Sequence, residues 1–339
     1  MKLIICAAAV SSLVDALAIR DYSVSINHNT VTKSPNVDYK DFSIAAGKHF
    51  AAVNSKKVQL SGNFENEGEF YVTNSGDSRV RMSIIGDTVE NRGKFAINSL
   101  TAETTPGFFI RARESFVNSG EMYLGDSGAE SAVFPITISS ANSWYNSGSM
   151  VFRRESGPRV PLDLRGSLFD IPSIENYGSI CLYNTLWETK TSIIGSGCIS
   201  VGSGSLLELA LDKDQVSQAI TLESADSDLK ISKFGTSLSA PVIRIAGFGG
   251  NNKISFDKVI EGTDKLSYSE ETGRLSILDA TKTVLLLDIG TGYDAGEFKV
   301  TQSESGSTVV YDKAVPQDSR QDGCGCVSEF PNSPRVPGS

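Results

Sequence analysis

Histidine is nearly absent from this chain. Its 339 residues include two, His28 and His49, both close to the N-terminus, and five cysteines. Acid–base, nucleophilic and zinc chemistry therefore have few residues to draw on. The Cys-x-Cys pair at Cys324 and Cys326 has no CxxC partner and lies far from both histidines, which leaves a tetrahedral zinc site without a ligand set. No Gly-x-Ser-x-Gly elbow occurs, and the glycine-rich stretch at 247–250 lacks the Lys-Ser/Thr of a phosphate loop, so it reads as a turn. No basic cluster or Arg-rich helix offsets the net charge of −9, and neither nucleic acid nor an anionic membrane is an expected partner. The acidity points to solubility in an extracellular medium. An Asn-x-Ser/Thr sequon is missing throughout, so N-glycosylation is not expected.

The first 18 residues have the form of a secretory leader. Lys2 supplies the positive end, Leu3 to Val14 a short apolar run, and Ala16-Leu17-Ala18 a small-x-small cleavage site. The run is too short to span a bilayer, and the polar stretch at Ile19-Arg20-Asp21 follows it. Removing the leader takes Cys6 with it and leaves Cys181, Cys198, Cys324 and Cys326. Four cysteines in an oxidising compartment predict two disulfides, with three possible pairings.

What is abundant is a nine-residue motif: apolar, any, Asn, any, Gly, any, apolar, any, apolar. It occurs at 64–72, 89–97, 116–124, 144–152 and 174–182, placing asparagines at Asn66, Asn91, Asn118, Asn146 and Asn176 and glycines at Gly68, Gly93, Gly120, Gly148 and Gly178. A degenerate sixth copy at 193–201 has Gly195 in the asparagine position. Successive asparagines stand 25, 27, 28 and 30 residues apart, the length of a solenoid coil of about three short strands and too short for a propeller blade. Apolar residues alternate after each glycine, as a strand with one buried face requires. Segments 58–60, 82–85, 109–110, 136–138 and 162–164 read as further strands, and nothing between 20 and 205 reads as an amphipathic helix. The expected fold is all-β, with stacked coils of parallel β-helix type. Glycine is expected to supply turn angles denied to other residues, and the asparagines to form an amide ladder along the axis. A leucine-rich repeat is the weaker alternative, because its Leu-x-x-Leu-x-Leu pattern is missing.

Coils continue less regularly after 201, and the Asn-x-Gly signature is gone by residue 246. The domain reading is a leader at 1–18, a β-helix at 19–245, and a small β-sandwich-like subdomain at 246–316 that closes the rod's end. A polar, Pro-rich tail with the second cysteine pair occupies 317–339. The run Thr283 to Ile289 reads as a buried core strand, although its composition also suits clustering between cells, with Leu286 in its middle.

The leader, the Asn-x-Gly repeats and the cysteine placement together resemble the N-terminal domain of the hyphally regulated cell wall proteins, the Hyr/Iff-like adhesins of Candida-type yeasts. The resemblance covers roughly residues 19 to 320 and is strongest over 58–201. It implies a right-handed β-helix followed by a crystallin-like β-sandwich, and display at the cell wall in adhesion, biofilm formation or host contact. Full-length members continue into a Ser/Thr-rich stalk and an anchor signal. This chain ends at Arg335-Val336-Pro337-Gly338-Ser339 with neither, and reads as the effector part of a longer protein or as a short secreted member. Any link to a membrane would run through a glycosylphosphatidylinositol anchor outside this chain.

A polysaccharide lyase or hydrolase of β-helix type needs clustered carboxyls. Glu65, Glu67, Glu69, Glu90 and Glu175 fall at outward positions beside the turns, and Asp163, Asp170 and Glu188 look scattered, with no acid pair at one height beside a cation. No catalytic residue, cofactor or metal is therefore expected. Tyr71, Tyr123, Tyr145 and Tyr177 fall at outward positions, where they are expected to be exposed and, if stacked along one flank, to offer flat faces to a ligand. Cys181 and Cys198 sit on successive coils at different offsets, so each is expected to pair with one of the two late cysteines, fastening the tail to the rod. The resulting expectation is a non-enzymatic adhesin domain that binds host or neighbouring-cell ligands (protein, glycan or abiotic surface). A wall-structural or masking role is the alternative.

Overall fold

The computed structural model describes residues 22–334 apart from 78, 131–132, 167–172, 212–216, 236–238, 261–264, 280–281 and 321–322. The leader and Asp170 lie outside the described residues.

Alternating apolar residues make strands, and the strands stack into a parallel β-solenoid. A representative coil carries three: Lys57–Leu60, Phe64–Asn66 and Glu69–Thr73. Each pairs in parallel with its counterpart one coil away, as in Phe70 opposite Phe95 and Asn66 opposite Asn91. In the strands Arg81–Asn91 and Gly107–Asn118 the first two run together without a break. Coils begin before the first motif copy: Asn36–Tyr39, Phe42–Ile44 and His49–Val53 form one, and Val24–Ile26 with Thr30–Thr32 part of another. Ile44 occupies the asparagine position there, opposite Asn66, which is why the motif did not reveal this coil.

Matched register brings like positions into columns. One interior column runs Phe50, Phe70, Phe95, Met122, Met150, Ile180, Ile199 and Ile220. Phe42, Phe64, Phe70 and Phe95 interlock at ring-centroid distances of 5.0–6.2 Å. Burying each such side chain stabilises the fold by roughly 1.5–3 kcal/mol.

The asparagines form a single buried column at the corner between the second and third strands. Asn66 Nδ2 donates to Asn91 Oδ1, Asn91 to Asn118, Asn118 to Asn146 and Asn146 to Asn176, each at 2.7 Å. Each amide also donates to a backbone carbonyl of the next coil, such as Lys94 O at 3.0 Å and Glu121 O at 3.1 Å. Where Gly195 breaks the series, Gln218 reaches across: its Oε1 accepts from Asn176 Nδ2 at 2.7 Å, and its Nε2 donates to Gly195 O at 2.8 Å.

The five motif glycines are needed for a reason other than the expected one. None adopts a positive φ. A Cβ on Gly93, Gly120, Gly148 or Gly178 would lie 2.0 Å from the carbonyl oxygen of the glycine one coil earlier. The corner is where successive coils come closest, and only a residue without a side chain fits.

Parallel pairing ends with Lys253–Phe256 against Asp228–Ser232 and Lys282–Asp288 against Val242–Ala246. Both rod sheets then continue as antiparallel strands, Gly306–Tyr311 with Phe298–Ser303 on one and Arg274–Asp279 with Leu266–Ser269 on the other. Phe248, Tyr268, Tyr293, Phe298 and Tyr311 pack together in this closing region. Within Lys282–Asp288, Leu285 and Leu287 are buried, whereas Leu286 is half-buried on the other face. The strand is paired along both edges, so the core role belongs to Leu285 and Leu287 and not to Leu286.

Two predictions follow from this packing. Asn118→Ala takes a partner from two asparagines and Asn66→Ala from one. At about 1–3 kcal/mol per orphaned buried group, the central substitution should cost about twice as much in the denaturation midpoint of the secreted domain. Leu285→Asp should abolish secretion, whereas Leu286→Asp should leave secreted protein detectable by immunoblot.

Candidate functional site

The candidate site is an outer surface, so its geometry follows from which outward columns are covered. On the third strands one outward column runs Val31, Ala51, Tyr71, Ala96, Tyr123, Val151 and Cys181. Instead of meeting solvent, these residues form a second apolar cluster against which Tyr183, Cys326 and Phe330 pack. The tail provides this cover. Cys326 bonds to Cys181 and Cys324 to Cys198, with Cα–Cα separations of 6.0 and 5.6 Å. Each early cysteine thus takes a late one, and all four are committed to disulfides. Further along, Arg153 Nη1 donates to Ser328 O at 3.3 Å, and the Phe330 ring sits 5.5 Å from Tyr123. Phe330 fits because Gly125 beneath it has no side chain; a Cβ there would come within 2.7 Å of the ring. Neither Gly125 nor Phe330 stood out in the sequence.

The four outward tyrosines therefore divide. Tyr71 and Tyr123 are 3% and 5% exposed, and the expectation that they offer free faces is overturned: alternation shows which side a residue points to, not what lies over it. Their hydroxyls donate to Glu69 and Glu121 at 3.1 Å. Burial, reinforced by Glu121, pushes the Tyr123 hydroxyl up to about 12. Burial raises Tyr71 in the same direction and takes Tyr183 to about 12.

Tyr145 and Tyr177 lie on another flank, beside the glycine corner. Their ring centroids are 5.7 Å apart with planes inclined at 39°, and Tyr177 is 49% exposed. Tyr177 borders a shallow groove of about 530 Å³ whose floor includes Gly148, Gly178 and Gly197 and whose sides include Ser147, Ser179, Ser196 and Arg244. Towards the N-terminus the corner groove becomes charged, and several of its charges pair with one another: Arg92 with Glu67 at 3.2 Å and Glu90 at 2.8 Å, and Lys94 with Glu121 at 3.6 Å. Such exposed pairs contribute little stability.

The acids of the first strands are less scattered than the sequence suggested. Glu188 stands opposite Glu208, and the register of Leu162 with Trp187 places Asp163 at the same height. Arg165 pairs with Asp163 at 2.7 Å and Lys230 with Glu208 at 2.9 Å. Acids at one height with cations beside them therefore do occur, because the pairing register of neighbouring coils, which sequence spacing does not state, sets their height. Among the described residues no group of three or more His, Cys, Asp or Glu is placed to hold a metal ion.

A disulfide-strapped parallel β-solenoid with a glycine-floored flank defines an extended extracellular domain. The chain matches, over residues 15–334, the family described as hyphally regulated cell wall protein N-terminal, and it belongs to that family. It is 27% identical over 324 residues to cell wall protein IFF6 of Candida albicans, covering 90% of this chain and 29% of the relative. Cell wall protein IFF7 of the same organism is 27% identical over 86% of this chain and 41% of its own length. Cell wall protein RBR3 is 29% identical over 81% and 18%. The chain thus spans well under half the length of these relatives. Its location is the fungal cell wall, outside the cell.

The tyrosine shifts give a pH dependence. An unfolded chain ionises these phenols near their ordinary value of 10.0, whereas the folded one keeps the Tyr123 and Tyr183 protons to about 12. Their stabilising contribution is complete below pH 10 and is lost between about pH 10 and 12. Tyr123→Phe should flatten that decline, measured as denaturant midpoints from pH 9 to 12.

Proposed function

We propose that this domain is a non-catalytic adhesin module of the fungal cell wall, supporting cell–surface and cell–cell attachment and biofilm formation. The observation that carries the reading is the corner flank. Tyr177, with the Tyr145 ring against it, borders a groove edged by Ser147, Ser179 and Ser196, and these hydroxyls make no intramolecular hydrogen bond among the described residues. An aromatic face with free hydroxyls next to it suits host or neighbouring-cell ligands whose surfaces alternate apolar and hydrogen-bonding groups. The relatives' names, cell wall proteins throughout, support a wall role and give no hint of an enzyme.

Purified domain is assayed on glycans, matrix proteins and abiotic surfaces. Saturable binding that weakens about five- to tenfold in the Tyr145→Ser/Tyr177→Ser double variant, as loss of two aromatic contacts implies, supports adhesion. Binding that never saturates, unchanged in that variant, would replace it with the wall-structural or masking role. A second reading rests on the acid column: release of products from pectin or glucan, abolished by Glu188→Gln, would make the protein a polysaccharide-active enzyme.

A further inference from the structure

We propose that the two disulfides divert tension arriving through the C-terminal tail into the middle of the rod, so that the closing hairpins carry none of it. The family is described as the N-terminal part of its proteins, and in such proteins whatever follows this domain pulls on it through the tail.

The path of the tail carries the argument. After the strand Gly306–Tyr311 it passes the closing region, where Ser319 bridges Gly290 and Arg320 pairs with Asp288 at 2.5 Å. It then turns back along the rod. Cys324 lies at the coil of Cys198, Cys326 one coil earlier at Cys181, Ser328 at Arg153 and Phe330 at Tyr123. A pull on Pro334 meets first the packing of Phe330 and the Arg153 bond, which peel. The next link is covalent: force crosses from Cys326 to Cys181 and enters the strand Ser179–Tyr183. Everything between these cysteines, a sequence separation of 145, hangs as a side loop.

The alternative route is weak. Without the bridges, tension reaches Tyr311, the C-terminal end of Gly306–Tyr311. That strand is paired antiparallel on both sides, with Lys253–Phe256 and Phe298–Ser303. Pulling it from one end opens its hydrogen bonds in succession rather than together. The two disulfides are nested, since 198–324 lies within 181–326. Loss of the outer bridge moves the entry point by one coil, 198 − 181 = 17 residues, and leaves the hairpins bypassed.

The test is single-molecule pulling on the oxidised domain between handles at Val24 and Pro334. The wild-type trace is expected to reach full extension about 500 Å short of the reduced chain, at ~3.5 Å for each of the 145 residues, with no early low-force step. A variant with all four cysteines changed to serine is expected to gain that step before the remaining coils yield. Cys181→Ser/Cys326→Ser is expected to lack it and to extend only about 65 Å further than wild type, since its remaining loop separation is 126 residues in place of 145. If the four-serine variant does not fold, reductant added to the tethered wild-type domain reads the same transition. A first rupture of unchanged force and step length after both bridges open would overturn the proposal, as would an early hairpin step in the oxidised wild type. No ligand is involved, so failure of the adhesive reading would leave this result standing.

Discussion

The close approach of successive coils at the Asn-x-Gly corner is the constraint from which the rest of the structure follows. Carbonyl oxygens of one glycine lie where the next glycine's side chain would be, and the buried amides just inside bond from coil to coil at 2.7 Å. An unpaired buried amide is costly, so this corner fixes the height of each coil against the next. Register along the second and third strands follows from that height, and register turns alternating residues into continuous interior columns. The core does not choose among nearly equivalent apolar pairings; the amides choose for it.

The same register determines what the surface offers. It places Tyr145 and Tyr177 side by side, aligns Asp163, Glu188 and Glu208, and lays a seam of small and apolar residues along the third face. That seam would be an exposed apolar patch on a secreted protein. The tail covers part of it, so the two disulfides solve a solubility problem as well as closing long loops. In a chain-entropy picture each bridge taken alone restricts the unfolded chain by roughly 4–5 kcal/mol.

Much of this was legible in the sequence because the repeat states its own geometry. Coil length, strand alternation and the asparagine column can be read from Asn66 to Asn176, and the cysteine offsets were enough to pair early with late. Other features depend on contacts between distant segments. Gln218 completes the amide column 42 residues beyond Asn176, with nothing local to mark it. The coil at 36–53 was hidden because Ile44 stands in the asparagine position. The glycines were recognised, but their role was assigned to turn angles, because stacking distance is not a local property of a turn. Alternation pointed Tyr71 and Tyr123 outward correctly but carried no information about Phe330, more than 200 positions away.

The amide column also has a sense: every asparagine hands its hydrogen towards the C-terminus, which leaves Asn66 Oδ1 without a donor at the other end. A chain of identical one-way links tolerates insertion or deletion of whole units anywhere within it, since each new member gives and receives alike. Changing the number of turns would alter the reach of the rod by ~4.8 Å per unit while preserving its chemistry at both ends. The terminal positions, Ile44 below and Gln218 above, are not interchangeable in this way, because each meets the column on one side only.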